Sequence, residues 1–362
     1  MKKYVIIALI ILVAGSMIIY PMLKNDPEIE TEMAALFTFE ENLAAVDGEV
    51  VPITIQVNEE LTKLELYYND SLLKTWKNVS SDVQFDLEAG AFGVGTRYIV
   101  LMATHNDGTE SEDQRLVRVL SDIVPEHLFA ESVQEYPHLT SSFTQGLEFH
   151  KGQLYEGTGD PSNIGATLLA EVNLITGEHK EGRKMGLDAG IFGEGITILN
   201  DKIYQLTYKN GKCYTYSLDP IVITGEFRYS GEGWGLCNDG KQLIMSNGSE
   251  ELTFRDPESF TTLRTLQVYD NKGPISNLNE LEYIDGKIYA NVWMSDMVVV
   301  IDPNTGKVLQ EIDARALAVK GKGNGDVLNG IAFDKSTGKL YMTGKYWSKV
   351  FEVRFVENMP LL

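Results

Sequence analysis

The sequence predicts an all-β protein: a five-bladed β-propeller, preceded by a small immunoglobulin-like β-sandwich and an N-terminal hydrophobic helix. Three observations lead to this fold. One hairpin pattern recurs five times between residues 145 and 341, at intervals of 40 to 50 residues, which is the period of propeller blades. Residues 26–121 contain short alternating apolar runs separated by turn residues. Residues 4–23 carry no charge.

The segment 1–25 is predicted to be a signal peptide or a membrane anchor. Lys2 and Lys3 precede the uncharged run 4–23, which at ~1.5 Å per residue is long enough to cross a ~30 Å hydrocarbon core. The small residues 14–16 also fit a cleaved signal, so both readings stay open. Positive charge before the run places the remainder outside the cytoplasm. We therefore expect an extracytoplasmic protein, in the periplasm or cell envelope, that contacts the membrane only through residues 4–23.

The segment 26–121 is predicted to form the immunoglobulin-like sandwich. Six short strands with alternating apolar residues are expected, at 50–57, 63–68, 72–76, 83–87, 97–104 and 115–120. Their polar residues lie in turns and on alternating faces, where no cluster with catalytic chemistry forms. We interpret this domain as a spacer or a docking module.

The segment 122–362 contains the repeats. Five hairpins share one pattern and lie at 145–155, 194–204, 234–244, 279–289 and 329–341. Three repeats continue to a related third strand that ends in Asp-Pro. We expect the final strand, 351–355, to pair with a strand near Val133, so that both chain ends complete one blade.

The repeats also align a set of side chains at one mouth of the predicted channel. The first position of the five hairpins holds Gln145, Glu194, Trp234, Asn279 and Asn329. A second aligned position lies at the end of the second strand, four residues after Tyr204, Tyr289 and Tyr341, and holds Tyr208, Trp293 and Lys345. Phe143 and Phe192 lie two residues before the first aligned position of their hairpins. The pattern predicts an aromatic pocket that holds one carboxylate and one ammonium. A purely structural role for the polar residues, satisfying backbone groups and water in the channel, is the alternative.

Composition and the aligned positions disfavour several classes of function. The chain has 31 basic and 52 acidic residues, a net charge of −21, which disfavours nucleic-acid binding. A metal-dependent propeller hydrolase is disfavoured because the aligned positions hold a single carboxylate. Cys213 and Cys237 fall in neighbouring blades, either as free thiols or as one disulfide, and neither has the histidine partner of a nucleophilic cysteine.

Seven motifs in the repeat region resemble those of one enzyme family. They are Phe143-Thr-Gln-Gly-Leu, Phe192-Gly-Glu-Gly-Ile-Thr, Gly233-Trp-Gly-Leu, Leu278-Asn-Glu-Leu-Glu-Tyr, Ala290-Asn-Val-Trp293, Leu328-Asn-Gly-Ile-Ala and Thr343-Gly-Lys-Tyr-Trp347. Together they are similar to the plant and bacterial glutaminyl-peptide cyclotransferases, five-bladed propellers that convert N-terminal glutamine to pyroglutamate and release ammonia. The resemblance covers residues 135–356 and leaves out the first two segments.

The resemblance implies roles for individual residues. Glu194 matches the family's catalytic glutamate, while Phe143, Gln145, Phe192, Trp234, Asn279, Trp293 and Lys345 match its pocket. One departure is Tyr208, where the family usually carries Trp; the substitution keeps an aromatic wall and leaves the shape of the pocket, and hence the substrate preference, open. The family uses no catalytic metal.

The reaction that this resemblance implies needs a proton carrier and an oxyanion donor. Glu194 is the predicted proton shuttle, with Lys345 and Asn279 as catalytic donors. Phe143, Gln145, Phe192, Tyr208, Trp234, Trp293 and Asn329 are the predicted substrate-binding residues. We expect a monomer that acts on peptides or proteins with N-terminal glutamine and needs no cofactor or catalytic metal, and we leave open a structural calcium on the opposite face. The competing hypothesis is a non-catalytic envelope propeller that binds peptide or glycan.

Overall fold

The computed structural model describes residues 33–359, and this part of the chain is all-β. The described residues form 28 strands, one 3₁₀ helix, Ala89–Phe92, and one short α-helix, α1, Arg315–Gly321. None of the helices between residues 33 and 359 has the length and apolar character needed to cross a bilayer. The predicted signal or anchor, residues 1–25, lies outside the described residues.

The first eight strands lie before residue 121. They are β1 (Ala35–Phe37), β2 (Asn42–Val46), β3 (Val50–Val57), β4 (Leu61–Tyr68), β5 (Ser71–Val79), β6 (Val83–Glu88), β7 (Gly95–His105) and β8 (Glu110–Leu120). The six predicted strands are present as β3–β8, because their alternating apolar residues, such as Leu64 and Leu66 on β4, are fully buried. The strands form a three-stranded sheet, β1-β3-β6, and a five-stranded sheet, β2-β8-β7-β4-β5.

Twenty further strands follow. They are β9 (Glu126–Pro137), β10 (Thr144–His150), β11 (Gln153–Thr158), β12 (Leu168–Val172), β13 (His179–Gly186), β14 (Gly193–Leu199), β15 (Lys202–Thr207), β16 (Lys212–Leu218), β17 (Ile221–Arg228), β18 (Leu236–Asn238), β19 (Leu243–Ser246), β20 (Glu251–Arg255), β21 (Thr262–Gln267), β22 (Leu278–Ile284), β23 (Lys287–Val292), β24 (Met297–Ile301), β25 (Val308–Asp313), β26 (Leu328–Asp334), β27 (Lys339–Gly344) and β28 (Lys349–Val356).

These strands form consecutive antiparallel sheets that match the sequence repeats. Three are separate four-stranded sheets, β10–β13, β14–β17 and β18–β21, and an eight-stranded sheet follows the order β22-β23-β24-β25-β9-β28-β27-β26. Each predicted hairpin is the first strand pair of one repeat. The predicted pairing of the two chain ends is confirmed, since β28 runs antiparallel to β9 with Phe351 opposite Glu135.

The first strands of the five repeats contact one another in cyclic order: β10 with β14, β14 with β18, β18 with β22, β22 with β26, and β26 with β10. Apolar clusters fill the space between neighbouring sheets. Tyr155 of β11 and Ile203 of β15, for example, share one cluster, and Ile244 of β19 and Ile288 of β23 share another. Such burial is the main favourable contribution to folding.

Buried carboxylates connect these first strands where no backbone ladder does. Glu280 on β22 accepts hydrogen bonds from the N–H groups of Leu147 (3.2 Å) on β10 and Ile331 (2.8 Å) on β26. Glu148 on β10 accepts one from the N–H of Ile198 (3.1 Å) on β14. These glutamates therefore satisfy backbone donors that would otherwise be buried without a partner.

By the density of its contacts the chain divides into two compact units. One holds residues 33–40, 53–85 and 99–115, and the other holds 41–52, 86–98 and the residues from 116 onward. Inside the larger unit, the side-chain oxygen of Gln267 accepts hydrogen bonds from the N–H of Thr96 and from Arg97, both at 2.7 Å. Parts of the predicted sandwich thus contribute packing to the repeat region.

Candidate active site

A pocket of about 170 Å³ lies where the first strands of the repeats begin. Nine side chains line it: Phe143, Gln145, Phe192, Glu194, Tyr208, Trp234, Asn279, Trp293 and Lys345. All nine belong to the ten residues that the sequence predicts for the site. The structure therefore brings together positions that span two hundred residues of sequence, and it does so through the repeated hairpin.

Strand irregularities occur at three of the polar residues that line the pocket. In four of the five hairpins the pairing register shifts at the predicted site residue: Gln145, Glu194, Asn279 and Asn329 each fall at the break. A β-bulge leaves its extra residue without a cross-strand partner and turns that side chain away from the regular alternation. Three of these four residues, Gln145, Glu194 and Asn279, line the pocket, and the fourth, Asn329, contacts Gln145.

The aromatic lining forms one continuous wall of edge-to-face contacts. Ring centroids lie 6.0 Å apart for Phe143 and Phe192, 5.9 Å for Phe192 and Tyr208, 6.5 Å for Tyr208 and Trp234, and 5.5 Å for Trp234 and Trp293. This geometry is favourable because the positive edge of one ring meets the negative face of the next. The wall gives the pocket an apolar, preformed surface.

Two glycines make room for these rings. A Cβ added at Gly159 would lie 2.3 Å from the ring of Phe192, and one at Gly248 would lie 2.6 Å from the ring of Trp234. Both distances are well below van der Waals contact. Gly159 and Gly248 lie at the aligned position that holds Tyr208, Trp293 and Lys345 in the other three repeats. At this position a side chain would clash, because the ring of Phe192 or Trp234 already fills the space.

Glu194 supplies the carboxylate of the pocket. It is only 5% exposed, and no other described residue hydrogen-bonds to its side chain. Burial raises the pKa of Glu194 well above its ordinary value; the Lys345 ammonium opposes the shift and the Glu232 carboxylate adds to it. Because burial makes this group hold its proton to higher pH than a free glutamate does, Glu194 is suited both to accept and to donate a proton.

Lys345 supplies the ammonium. It is 4% exposed, and its Nζ lies 4.8 Å from the centroid of the Phe143 ring. Burial lowers the pKa of Lys345, although the negative charges of Glu194 and Asp326 oppose that change. Within residues 33–359, no ion pair of 4.0 Å or less joins Lys345 to Glu194. Both groups therefore remain available to a molecule in the pocket.

The three predicted amides occupy two different places. Gln145 and Asn279 line the pocket and are both 3% exposed, and Asn279 Oδ1 has no hydrogen-bond partner among the described residues. Asn329 does not line the pocket. Its Nδ2 donates to the carbonyl of Thr144 (3.0 Å) and to Oε1 of Gln145 (3.2 Å). Asn329 thus holds Gln145 in place.

Sequence reasoning missed two charged residues that contact the aromatic wall of the pocket. Glu232 accepts a hydrogen bond from Nε1 of Trp234 (3.0 Å) and pairs with Lys209 (3.3 Å). The Lys209 Nζ in turn lies 4.6 Å from the centroid of the Tyr208 ring. Glu232 could have been found, because it lies two residues before Trp234, the position that Phe143 and Phe192 occupy in their repeats.

One further aromatic residue was missed. Tyr346 follows Lys345 directly, and its ring centroid lies 5.0 Å from that of Phe143. Its backbone has a positive φ of 61°, which is uncommon for a residue with a bulky side chain. Tyr346, in the turn after β27, therefore extends the aromatic wall with a residue that does not lie at an aligned position of the repeats.

Among residues 33–359, neither cysteine is paired and no acidic or histidine cluster has the arrangement of a metal site. Cys213 and Cys237 are both free and buried, so the disulfide alternative is wrong for this structure. Burial raises the pKa of both thiols. Within residues 33–359, no group of three or more His, Cys, Asp or Glu side chains has the arrangement of a metal site.

Comparisons with known proteins identify the family of this chain. A sequence profile of the family described as glutamine cyclotransferase matches residues 100–355. The glutaminyl-peptide cyclotransferase of Arabidopsis thaliana is 36% identical over 230 residues, which cover 62% of this chain and 70% of that protein. The crystal structure of Myxococcus xanthus glutaminyl cyclase superposes with a TM-score of 0.59 and 40% identity, over 64% of this chain and 98% of that one. The chain therefore belongs to the glutamine cyclotransferase family.

Proposed function

We propose that this protein is a glutaminyl-peptide cyclotransferase, which converts the N-terminal glutamine of peptides or proteins to pyroglutamate and releases ammonia. Family membership supports the activity. The observation that carries the proposal is the buried Glu194 carboxylate, which no described side chain binds, in a pocket with an aromatic wall and one buried ammonium.

The reaction is an intramolecular aminolysis. The α-amine of the glutamine attacks its own γ-carboxamide carbon, a C–N bond forms to close the five-membered ring, and the bond to the carboxamide nitrogen breaks. Because both reacting groups belong to one residue, the pocket needs only to hold that residue in the folded pose. The aromatic wall from Phe143 to Trp293 provides that shape and excludes water.

Glu194 carries the proton in this proposal. Its carboxylate accepts a proton from the α-ammonium, which makes the amine nucleophilic, and delivers it to the departing nitrogen, which leaves as ammonia. The carboxylate then takes the second proton from the ring nitrogen, which completes the lactam, and passes that proton to the ammonia or to solvent. One group can perform both steps when its pKa lies near the working pH, and the raised pKa of Glu194 supports that role.

Lys345 and Asn279 stabilise the oxygen of the γ-carboxamide as negative charge develops on it. Lys345 donates from its ammonium and Asn279 from its amide, and preorganised donors in a buried site are effective stabilisers of such charge. Gln145, held by Asn329, binds the substrate. The steps therefore require a proton carrier and oxyanion donors, which residues of the chain supply, and we propose that no cofactor takes part. A structural calcium on the opposite face stays a prediction.

The architecture that we propose for this enzyme is a five-bladed β-propeller over residues 122–362, preceded by an immunoglobulin-like sandwich over 26–121. The cyclic contacts of the five first strands support the propeller. We further propose a monomer outside the cytoplasm, with residues 1–25 as signal or anchor; the lysines before the uncharged run support this location.

The proposal is tested by incubating the protein with a glutamine-initiated peptide and following ammonia release together with the loss of one NH₃ from the peptide mass. An asparagine-initiated peptide and an N-acetylated glutamine peptide serve as controls, because the first would need a strained ring and the second lacks a nucleophilic amine. We expect turnover of the glutamine peptide alone. Binding of that peptide without ammonia release would contradict the proposal and favour a peptide-binding module.

A further inference from the structure

A buried ionic cluster outside the pocket lining centres on Glu156 of strand β11, which pairs with strand β10, the strand that carries Gln145. Glu156 is 1% exposed, and four side chains donate hydrogen bonds to its carboxylate, two to each oxygen. The donors to Oε1 are His138 Nε2 (3.0 Å) and Thr144 Oγ1 (2.7 Å), and the donors to Oε2 are His179 Nε2 (3.2 Å) and Ser142 Oγ (3.2 Å). Four donors fill the lone-pair sites of an ionised carboxylate, so Glu156 is negatively charged.

The geometry also fixes the protonation of His138. Its Nδ1 lies 2.9 Å from the carbonyl oxygen of Trp347, and its Nε2 faces the Glu156 carboxylate. Both partners accept hydrogen bonds, and a neutral imidazole has only one N–H to donate. The nearby Thr343 hydroxyl already donates to the carbonyl of Lys349 (2.8 Å). His138 is therefore an imidazolium, and with Glu156 it forms a buried ion pair.

The electrostatics agree with this assignment. Burial alone would lower the pKa of His138, but the Glu156 carboxylate outweighs it and the net pKa is raised. Burial alone would raise the pKa of Glu156, but His138 and then His179 outweigh it and hold the pKa well below its usual range. Glu156 is the charged group that contacts His138, and Glu156 in turn contacts both His138 and His179.

The ion pair joins two segments that carry pocket residues. Ser142 and Thr144, which bind Glu156, flank Phe143. The carbonyl of Ser142 accepts a hydrogen bond from the N–H of Tyr346 (2.7 Å). Through Trp347, His138 binds the same turn that carries Lys345, whose ammonium lies against Phe143.

We propose that His138 and Glu156 are positioning residues, whose ion pair ties segment 142–145 to segment 345–347 and so fixes the Lys345 ammonium relative to the pocket. The effect on catalysis rests on the proposed function. A displacement of about 1 Å in a reacting group can cost about 10²-fold in rate, so a loosened link would lower kcat. The affinity for substrate would change less, because the aromatic wall supplies most of the contact.

The primary variant is Thr144→Val, which removes one hydroxyl donor to Glu156 and keeps the size of the side chain. Thr144→Ser keeps the hydroxyl and serves as the rescue variant. Glu156→Gln is less suitable, because it leaves the His138 charge buried without a partner and endangers folding. The matched control is Glu171→Gln, which breaks an ionic cluster in the same sheet, where the 4% exposed Glu171 binds Lys180 and Arg183.

We expect Thr144→Val to lower kcat about tenfold or more with KM within about threefold, as for an interaction that matters in the transition state. Thr144→Ser and Glu171→Gln should keep kcat within about twofold of the wild type, although Glu171→Gln should lower the melting temperature. Wild-type kcat in Thr144→Val, or an equal loss of kcat in Glu171→Gln, would overturn the inference.

Two readouts do not depend on turnover. ¹⁵N NMR of the His138 ring at pH 7 should show both nitrogens protonated, and a neutral ring would overturn the ion pair. A crystal structure of Thr144→Val should show Lys345 displaced from its position 4.8 Å over Phe143, whereas that of Glu171→Gln should not; an unmoved Lys345 in Thr144→Val would also overturn the inference. Absence of ammonia release by the wild type would instead refute the proposed function alone.

Discussion

Stability should fall as pH rises through neutrality, because carboxyl groups are buried along the first strands of the repeats. Glu148 is the best-defined case: burial raises its pKa from an ordinary value of 4.5 to about 7. Burial, and then the charges of Glu148 and Glu280, also raise the pKa of the nearby Glu282. Glu148→Gln removes the ionisation and keeps a side-chain oxygen that can accept the hydrogen bond from Ile198.

The magnitude follows from the pKa difference between the folded and unfolded chain. With a folded pKa near 7 and an unfolded pKa near 4.5, the folded state holds one more proton between these values. The contribution of Glu148 to stability is therefore fully present below pH 4.5 and is lost as pH rises through 7. At about 1.4 kcal/mol per pH unit over roughly 2.5 units, the loss is about 3 kcal/mol.

The assay is urea unfolding of the wild type and Glu148→Gln at pH 5 and pH 8. The free energy of unfolding of the wild type should fall by somewhat less than about 3 kcal/mol between pH 5 and pH 8, because part of the titration lies below pH 5. Glu148→Gln should not show this fall, so its stability relative to the wild type should rise by the same amount. Glu178→Gln, at an exposed turn, is the control and should show no such gain. A Glu148→Gln variant whose difference from the wild type is the same at both pH values would refute the reasoning.

Three other predictions concern the pocket and the N-terminal region. Lys345→Met should lower turnover by about 10²–10³-fold, because it removes an oxyanion donor. The acidic limb of the pH profile of kcat/KM should also move to higher pH, because the Lys345 charge lowers the pKa of Glu194 in the wild type. Glu232→Gln should move that limb the opposite way by less than about one pH unit, since its carboxylate raises the same pKa from a partly exposed position; a shift in the same direction as Lys345→Met would contradict the assignment. Deletion of residues 33–121 should lower the melting temperature, because Gln267 loses its donors, yet leave cyclisation measurable; complete loss of activity in a folded fragment would mean that this region contributes to the site.

The sequence predicts the hairpins and most of the pocket because the repeat imposes one geometry on every copy. Residues at one aligned position, such as Gln145 and Asn279, must reach the same place if the hairpins are arranged alike. The β-bulges at these residues could not be predicted from residue type, because a bulge depends on the register in which two strands pair.

The features that sequence reasoning missed join residues that no pattern aligns. His138 and Glu156 bond to each other from different elements, and each looks like an ordinary polar residue in its own strand or loop. The contribution of segment 41–52 to the larger unit has the same cause: packing between distant segments depends on tertiary structure. Asn329 shows the limit of the repeat itself, because it is aligned with the site yet acts through Gln145.

The central claim is that Glu194 moves the proton in glutamine cyclisation, and one comparison tests it most directly: ammonia release from a glutamine-initiated peptide by the wild type and by Glu194→Gln. The variant keeps the size of the side chain but cannot exchange a proton, so turnover should fall by about 10²–10⁴-fold, while the affinity for an N-acetylglutaminyl peptide should stay within a few-fold. A Glu194→Gln protein that cyclises the peptide at the wild-type rate would contradict the account, and Lys345, the other buried ionisable group of the pocket, would then have to act as the base.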